Sequence, residues 1–336
     1  MENTEKKKTN WLGLTIGIVI SVLAFALLIY LIDFELTLEV IKQADLKYIL
    51  LSALFLLGYL VTRSMAWRII LQNKISFQKT FWTINEGYMF NNILPFRLGE
   101  LARAFLLDST AKIPFWEVLS TILVERVFDI GLMAAFLLGA LPFVIGADWV
   151  LKSVIIAGVF VVLGFIFLLW GARRPDQLMS IFERLTKRWP KVADFGREKV
   201  QSLLDGLKAL ASIKDFFRVL FWMMMTWGLS FAWIYALMFS IFDTPQPIWA
   251  FFVVGAIALG VVAPSSPGYI GVYEAVMVGA LLVFDIAEPD AFAFAVISHV
   301  LFLVITIALG AVGLSKDGQS LGAVYQGISR RRNKDN

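Results

Sequence analysis

Pro264-Ser265-Ser266-Pro267-Gly268-Tyr269-Ile270-Gly271-Val272-Tyr273-Glu274 lies between two apolar runs, residues 249–263 and 275–286. Prolines 264 and 267 remove backbone donors and glycines 268 and 271 relax the backbone, so no continuous helix passes through this stretch. Each flanking run is shorter than the roughly 20 residues that a spanning helix needs. The stretch therefore reads as the tip of a broken helix pair that enters the membrane and returns. An earlier stretch repeats the pattern. Residues 77–94 are followed by Pro95-Phe96-Arg97-Leu98-Gly99-Glu100 and then by the short apolar run 101–107.

Around these two breaks the chain is apolar in blocks. Of its 336 residues 59% are hydrophobic and 17% charged, and the mean hydropathy is +0.76. A soluble domain of this size carries more charge. Runs at 11–32, 48–62, 116–141, 150–171, 219–242 and 291–313 can each cross a hydrocarbon core as a helix, the second by extending into its polar flanks. The first run follows Lys6, Lys7 and Lys8 and has no small-residue cleavage site, so it is expected to stay as an uncleaved helix.

Basic residues set the orientation. Residues 173–218 hold Arg173, Arg174, Arg184, Lys187, Arg188, Lys191, Arg197, Lys199, Lys208, Lys214 and Arg218, whereas no Lys or Arg lies between Arg218 and Lys316. Arg63, Arg68, Lys74 and Lys79 mark the end of the second run as cytoplasmic, and Lys316 with Arg330, Arg331, Arg332 and Lys334 marks the tail. The expected fold is an all-α polytopic membrane protein with six spanning helices, two re-entrant pairs (77–111 and 249–286) and both termini in the cytoplasm. The organisation is 1–45 (tail, first helix, external loop), 46–171 (first repeat and following span), 172–218 (basic amphipathic loop), 219–313 (second repeat) and 314–336 (basic tail). In the loop, Leu178, Ile181, Phe182, Leu185 and Trp189, then Val200, Leu203, Leu204, Leu207 and Leu210, follow helical spacing, as for helices on an anionic membrane surface or packed on the bundle.

The two pairs look like an inverted repeat. Glu100 precedes Glu125 by 25 residues and Glu274 precedes His299 by 25 residues. Both downstream residues fall about nine residues into the next run, roughly 13 Å deep. Opposed repeats meeting at broken helices are a transporter architecture.

Ionisable groups at this depth are costly and face cavities or one another. Arg97 and Arg103 offer forked donors that suit a phosphate, with Glu100 as their partner in an empty site; Arg103 snorkelling to the headgroups is the plainer alternative. Glu125 and Asp129 share a helical face and Arg126 lies about 100° around it; a structural Arg97–Glu125 pair is the plainer alternative, and the two readings can coexist. In the second half Ser265, Ser266, Tyr273 and Glu274 suit an amine, a sugar or a cation, and His299 is either a packing residue or their partner. With no cysteine and one histidine, disulfides, thiolate metal sites and His-pair zinc sites are excluded. No phosphate-binding loop is found, and neither cofactor nor metal is expected.

The ordered motifs Asn92-x-x-Pro95-x-Arg97-x-Gly99-Glu100-x-x-Arg103, Glu125-Arg126-x-x-Asp129 and Pro264-x-Ser266-Pro267-Gly268-x-x-Gly271-x-x-Glu274 resemble the lysylphosphatidylglycerol synthase transmembrane (flippase-domain) family from about residue 46 to 313. The resemblance implies a lipid translocase in the cell membrane, with the family's polar core on these motif residues. Beyond Gly313 a short basic tail is read, without the soluble aminoacyl-transferase domain of fused members. The expected partners are membrane lipids: an anionic or aminoacylated phospholipid, or a polyprenyl phosphate. Nucleic acid is not expected, and a homo-oligomer is allowed. Two rival readings remain at this stage. One is a membrane-embedded transferase on a lipid-linked sugar or phosphate, with Glu125 or Asp129 as base and Arg97 as clamp. The other is an accessory lipid-binding subunit.

Overall fold

The computed structural model describes residues 33–94, 98–145, 148–189, 196–197, 200–201, 204–207, 210–261 and 266–334. The expected first span (11–32), Pro95, Arg97, Pro264, Ser265 and Leu203 lie outside the described residues. Among those described, the regular structure is helical and no strand occurs.

A short helix α1 (Phe34–Gln43) is capped by Asp33, whose carboxylate accepts from the Glu35 and Leu36 amides. It lies where sequence suggested only a loop, and Phe34 packs edge-on against Phe292. Then come α2 (Leu46–Ile70), α3 (Phe77–Ile93), α4 (Gly99–Ala111), α5 (Phe115–Ile145) and α6 (Asp148–Arg173). The chain turns by 94° at Arg174 into α7 (Pro175–Thr186). After it follow α8 (Ile213–Met238), α9 (Pro247–Gly260), a 3-10 turn (Pro267–Tyr269), α10 (Val272–Leu282), α11 (Glu288–Lys316) and α12 (Leu321–Lys334).

Three of the described helices, α2, α8 and α11, are long and apolar enough to cross a membrane. Their surfaces are inside out relative to a soluble bundle. Leu50, Leu54, Leu57 and Val61 expose one face of α2, and Phe217, Phe221 and Met224 do so on α8. Meanwhile Ser52, Thr62, Arg63 and Ser64 are buried. A solvent that cannot hydrogen-bond drives polar groups inward in this way. Small hydroxyls join α2 to α8: Ser52 donates to the Trp233 carbonyl at 2.8 Å, and the Thr226 hydroxyl donates to that of Thr62 at 3.1 Å.

The α3–α4 pair is held by close backbone approach. A Cβ on Gly99 would lie 2.0 Å from the Gly87 carbonyl oxygen, and one on Gly87 would lie 2.6 Å from Cγ of Arg103. Asn91 closes the break by accepting from the Gly99 amide at 2.7 Å. The first pair then packs on the last span: a Cβ on Gly310 would lie 2.6 Å from the Asn85 carbonyl oxygen. In the second pair, Gly268 and Gly271 take positive φ values of 68° and 86°, the left-handed turn that the sequence calls for.

Two segments differ from their expected character. The tail folds into α12, which buries Val324 and Ile328 against Met89, Phe90, Ala102 and Leu106. The basic loop divides: Ile181, Leu185 and Trp189 are exposed, while Leu204 and Leu210 are buried, with Gly206 pressed on Ser120.

Candidate functional site

The first polar cluster is built from three helices. Arg63 of α2 binds Asp129 of α5 through two donors, Nη1 to Oδ1 at 3.0 Å and Nη2 to Oδ2 at 2.6 Å. The same Nη2 lies 2.6 Å from Glu125 Oε1. Arg103 of α4 donates to the other Glu125 oxygen at 2.7 Å and lies 3.8 Å over the Trp67 ring. Trp67 is fixed in turn by donating to Thr121 at 3.0 Å. Arg63, Arg103 and Glu125 are almost fully buried, so this part is sealed. In a low-dielectric interior such charges persist only when paired with good geometry.

The cluster opens at one edge. Arg126 Nη1 contacts Asp129 at 3.2 Å, but its Nη2 reaches Glu100 only at 3.9 Å and Glu125 at 4.0 Å. The Arg126 side chain is 39% exposed and that of Glu100 26%. The Nε atoms of Arg63, Arg103 and Arg126 are all buried and make no hydrogen bond among the described residues, so the looseness of Arg126 lies in its Nη2. Three guanidinium groups thus face three carboxylates, and the loosest pair lies at the exposed side.

A second cluster surrounds the second break. Glu274 Oε2 accepts from the Gly271 amide at 2.7 Å, capping the start of its own helix, and Oε1 lies 2.6 Å from His299 Nδ1. Tyr273 donates to Ser298 at 3.2 Å, and its ring stacks on His299 with centroids 4.2 Å apart. Ser266 donates to the Ile270 carbonyl at 3.1 Å, which shapes the turn.

The two breaks meet. Asn92, buried at the end of α3, donates to Thr306 of α11 at 2.9 Å. Its carbonyl oxygen approaches Gly268 so closely that a Cβ there would lie 3.2 Å away. Tyr88 stands beside the first cluster: its hydroxyl is 2.8 Å from that of Tyr59, it lies within electrostatic range of Arg63, and its ring meets Phe302 of α11.

Of the expected residues, Glu100, Arg103, Glu125, Arg126 and Asp129 come together in the first cluster, and Tyr273, Glu274 and His299 in the second. The two equally spaced pairs differ in detail. Glu274 touches His299 directly, whereas Glu100 and Glu125 are related only through Arg126. Arg63 corrects the sequence reading. It is not a surface marker of the cytoplasmic side but the central cation of the first cluster. The signal was present: Ala66, Trp67, Ile69, Ile70 and Leu71 follow it, so the helix continues apolar past the charge.

Residues 14–310 match the lysylphosphatidylglycerol synthase TM region family. The chain belongs to this family. It is also similar to a UPF0104 membrane protein of Methanocaldococcus jannaschii, with 24% identity over 321 residues, 89% of this chain and 94% of that protein. Family membership and the apolar helices make it a multi-pass membrane protein.

Proposed function

We propose that the chain is a translocase for lipids with a phosphate-bearing headgroup, acting in the cell membrane with six crossings, two re-entrant pairs and both termini cytoplasmic. The observation that carries this reading is the open edge of an otherwise sealed ion-pair network. Arg126 Nη2 holds its carboxylate partners only at 3.9 and 4.0 Å, so a phosphate can displace Glu100 and take a forked contact. Arg63 and Arg103 hold Glu125 and Asp129 in place behind it. Arg97 and Asn92, at the first break, would extend the phosphate site. Tyr88 meets Phe302 of α11, the helix that carries His299, and Glu274, His299 and Tyr273 would supply groups suited to an amine or hydroxyls on the same headgroup. Acyl or prenyl chains would remain in the bilayer. Rocking of one repeat against the other, about the contact between the breaks, would alternate access.

The purified protein in proteoliposomes tests this with a panel of labelled lipids: anionic, aminoacylated and zwitterionic phospholipids and a polyprenyl phosphate. The expected result is faster redistribution between leaflets for at least one phosphate-bearing headgroup, with lipid composition unchanged. Altered composition without redistribution would instead establish a transferase.

A further inference from the structure

Glu86 takes no part in the network above, yet it is 0% exposed, in the middle of α3, and neither carboxylate oxygen has a hydrogen-bond partner among the described residues. The last span makes room for it: a Cβ on Gly313 would lie 3.0 Å from Glu86 Oε1. Thr83, one turn away on the same face, is also buried, and its hydroxyl oxygen lacks a partner among the described residues. One further turn along is Lys79, paired with Asp317 at the end of α11, with both side chains partly accessible. Lys79, Thr83 and Glu86 thus form a polar line from the basic end of the bundle inward, closed outside by an ion pair and ending on a carboxyl.

The charged groups facing this line are few. Lys79 and Asp317 are within electrostatic range of Glu86. Lys316 is turned onto the Trp82 ring at 4.3 Å. From α4, the Arg103 stem crosses Gly87, but its guanidinium is committed to Glu125. From α2, Arg63 is committed to Asp129, and Tyr59 to Tyr88. No cation contacts the Glu86 oxygens among the described residues. An ionised carboxylate left so is heavily penalised, whereas a neutral acid is tolerated.

We propose that Glu86 is a proton-binding site that couples proton movement to transport, with the Lys79–Asp317 pair as its gate towards the basic end. The carboxylate takes a proton from hydronium arriving past the open pair, giving the neutral acid and water, and returns it by the reverse step. Because Glu86 packs on Gly313, while Asn85 and Asn92 of the same helix contact Gly310 and Thr306, a change in its charge acts on the junction between the two repeats. The coupling role rests on the translocase reading; the proton site does not.

The test is an infrared pH titration of the purified full-length protein without lipid substrate. A protonated carboxyl band at neutral pH is expected, lost in Glu86→Gln and retained in Glu100→Gln. Glu86→Gln is nearly isosteric with the neutral acid, and Glu86→Asp, which should keep a displaced band, guards against misfolding of the first variant. Persistence of the whole band in Glu86→Gln would overturn the proposal. Replacing sodium by choline should leave the titration unchanged; a sodium-dependent band would overturn it in favour of a metal cation. Asp317→Asn should speed deuterium exchange of the band, and an unchanged rate would remove the gate. In proteoliposomes, a pH gradient should alter lipid redistribution by the wild type and not by Glu86→Gln. Equal responses would reject the coupling, while absence of redistribution in the wild type, with the band intact, would count against the translocase and not the proton site.

Discussion

Arg63 and Arg126 show how one residue type serves two ends within 4 Å of the same carboxylates. Arg63 is sealed, with Nη1 and Nη2 on Asp129 and Glu125. Removing it leaves two buried carboxylates short of a cation, a loss on the order of 3–5 kcal/mol. Arg63→Gln is therefore expected to lower the yield of folded protein and its unfolding temperature in detergent. Arg126 is partly exposed and loosely partnered, so Arg126→Gln should stay folded and lose lipid redistribution. Arg126→Lys should restore little of it, because an ammonium cannot make the forked contact. Thermal unfolding and leaflet assays on the same preparations separate these outcomes; a normally stable Arg63→Gln would contradict the buried network. Such distinctions were only half legible in sequence. Glu125, Arg126 and Asp129 announced themselves as charges inside an apolar run. Arg63 did so less plainly: the apolar residues after it carry the signal, but near the end of a run the same residue also reads as a flanking marker.

At the scale of elements, glycine positions decide how closely helices approach. Gly99→Ala would drive a Cβ into the Gly87 carbonyl, and Gly310→Ala would drive one into the Asn85 carbonyl and Met89. Backbone cannot yield as a flexible side chain does, so each is expected to cost about 1–3 kcal/mol. Gly279→Ala, which meets nothing within 4 Å, should be neutral or stabilising. Unfolding temperatures of the three variants check this, and equal values would mean that the helix pairs are looser than described. The broken helices themselves were legible, since Pro and Gly leave local marks: α3 ends at Ile93 and the second turn sits on Pro267–Tyr269. The docking of α12 on α4 was not, because a basic tail declares its charge while Val324 and Ile328 declare a face only once Phe105 and Leu106 are placed. Likewise periodicity in 200–210 cannot tell a membrane-facing surface from a bundle-facing one.

For the whole molecule, the proposed topology rests on charge asymmetry and repeat spacing, and the contact between the two breaks gives the proposed repeats a common junction. The cysteine-free chain makes the topology simple to test. A single cysteine at position 289 should react with an impermeant maleimide from outside, and reaction from the cytoplasm alone would refute the inverted arrangement. The central claim is that the Arg126 edge and the Glu274–His299 pair serve one headgroup. Residues sharing a bound ligand or network are expected to couple by about 0.5–3 kcal/mol, whereas distant independent sites add. The direct measurement is a double-mutant cycle on lipid redistribution in proteoliposomes, comparing wild type, Arg126→Gln, Glu274→Gln and the double variant, each shown to be folded. The account predicts that the second substitution costs much less once the first is made. Strictly additive losses would place the two clusters at separate sites and contradict it.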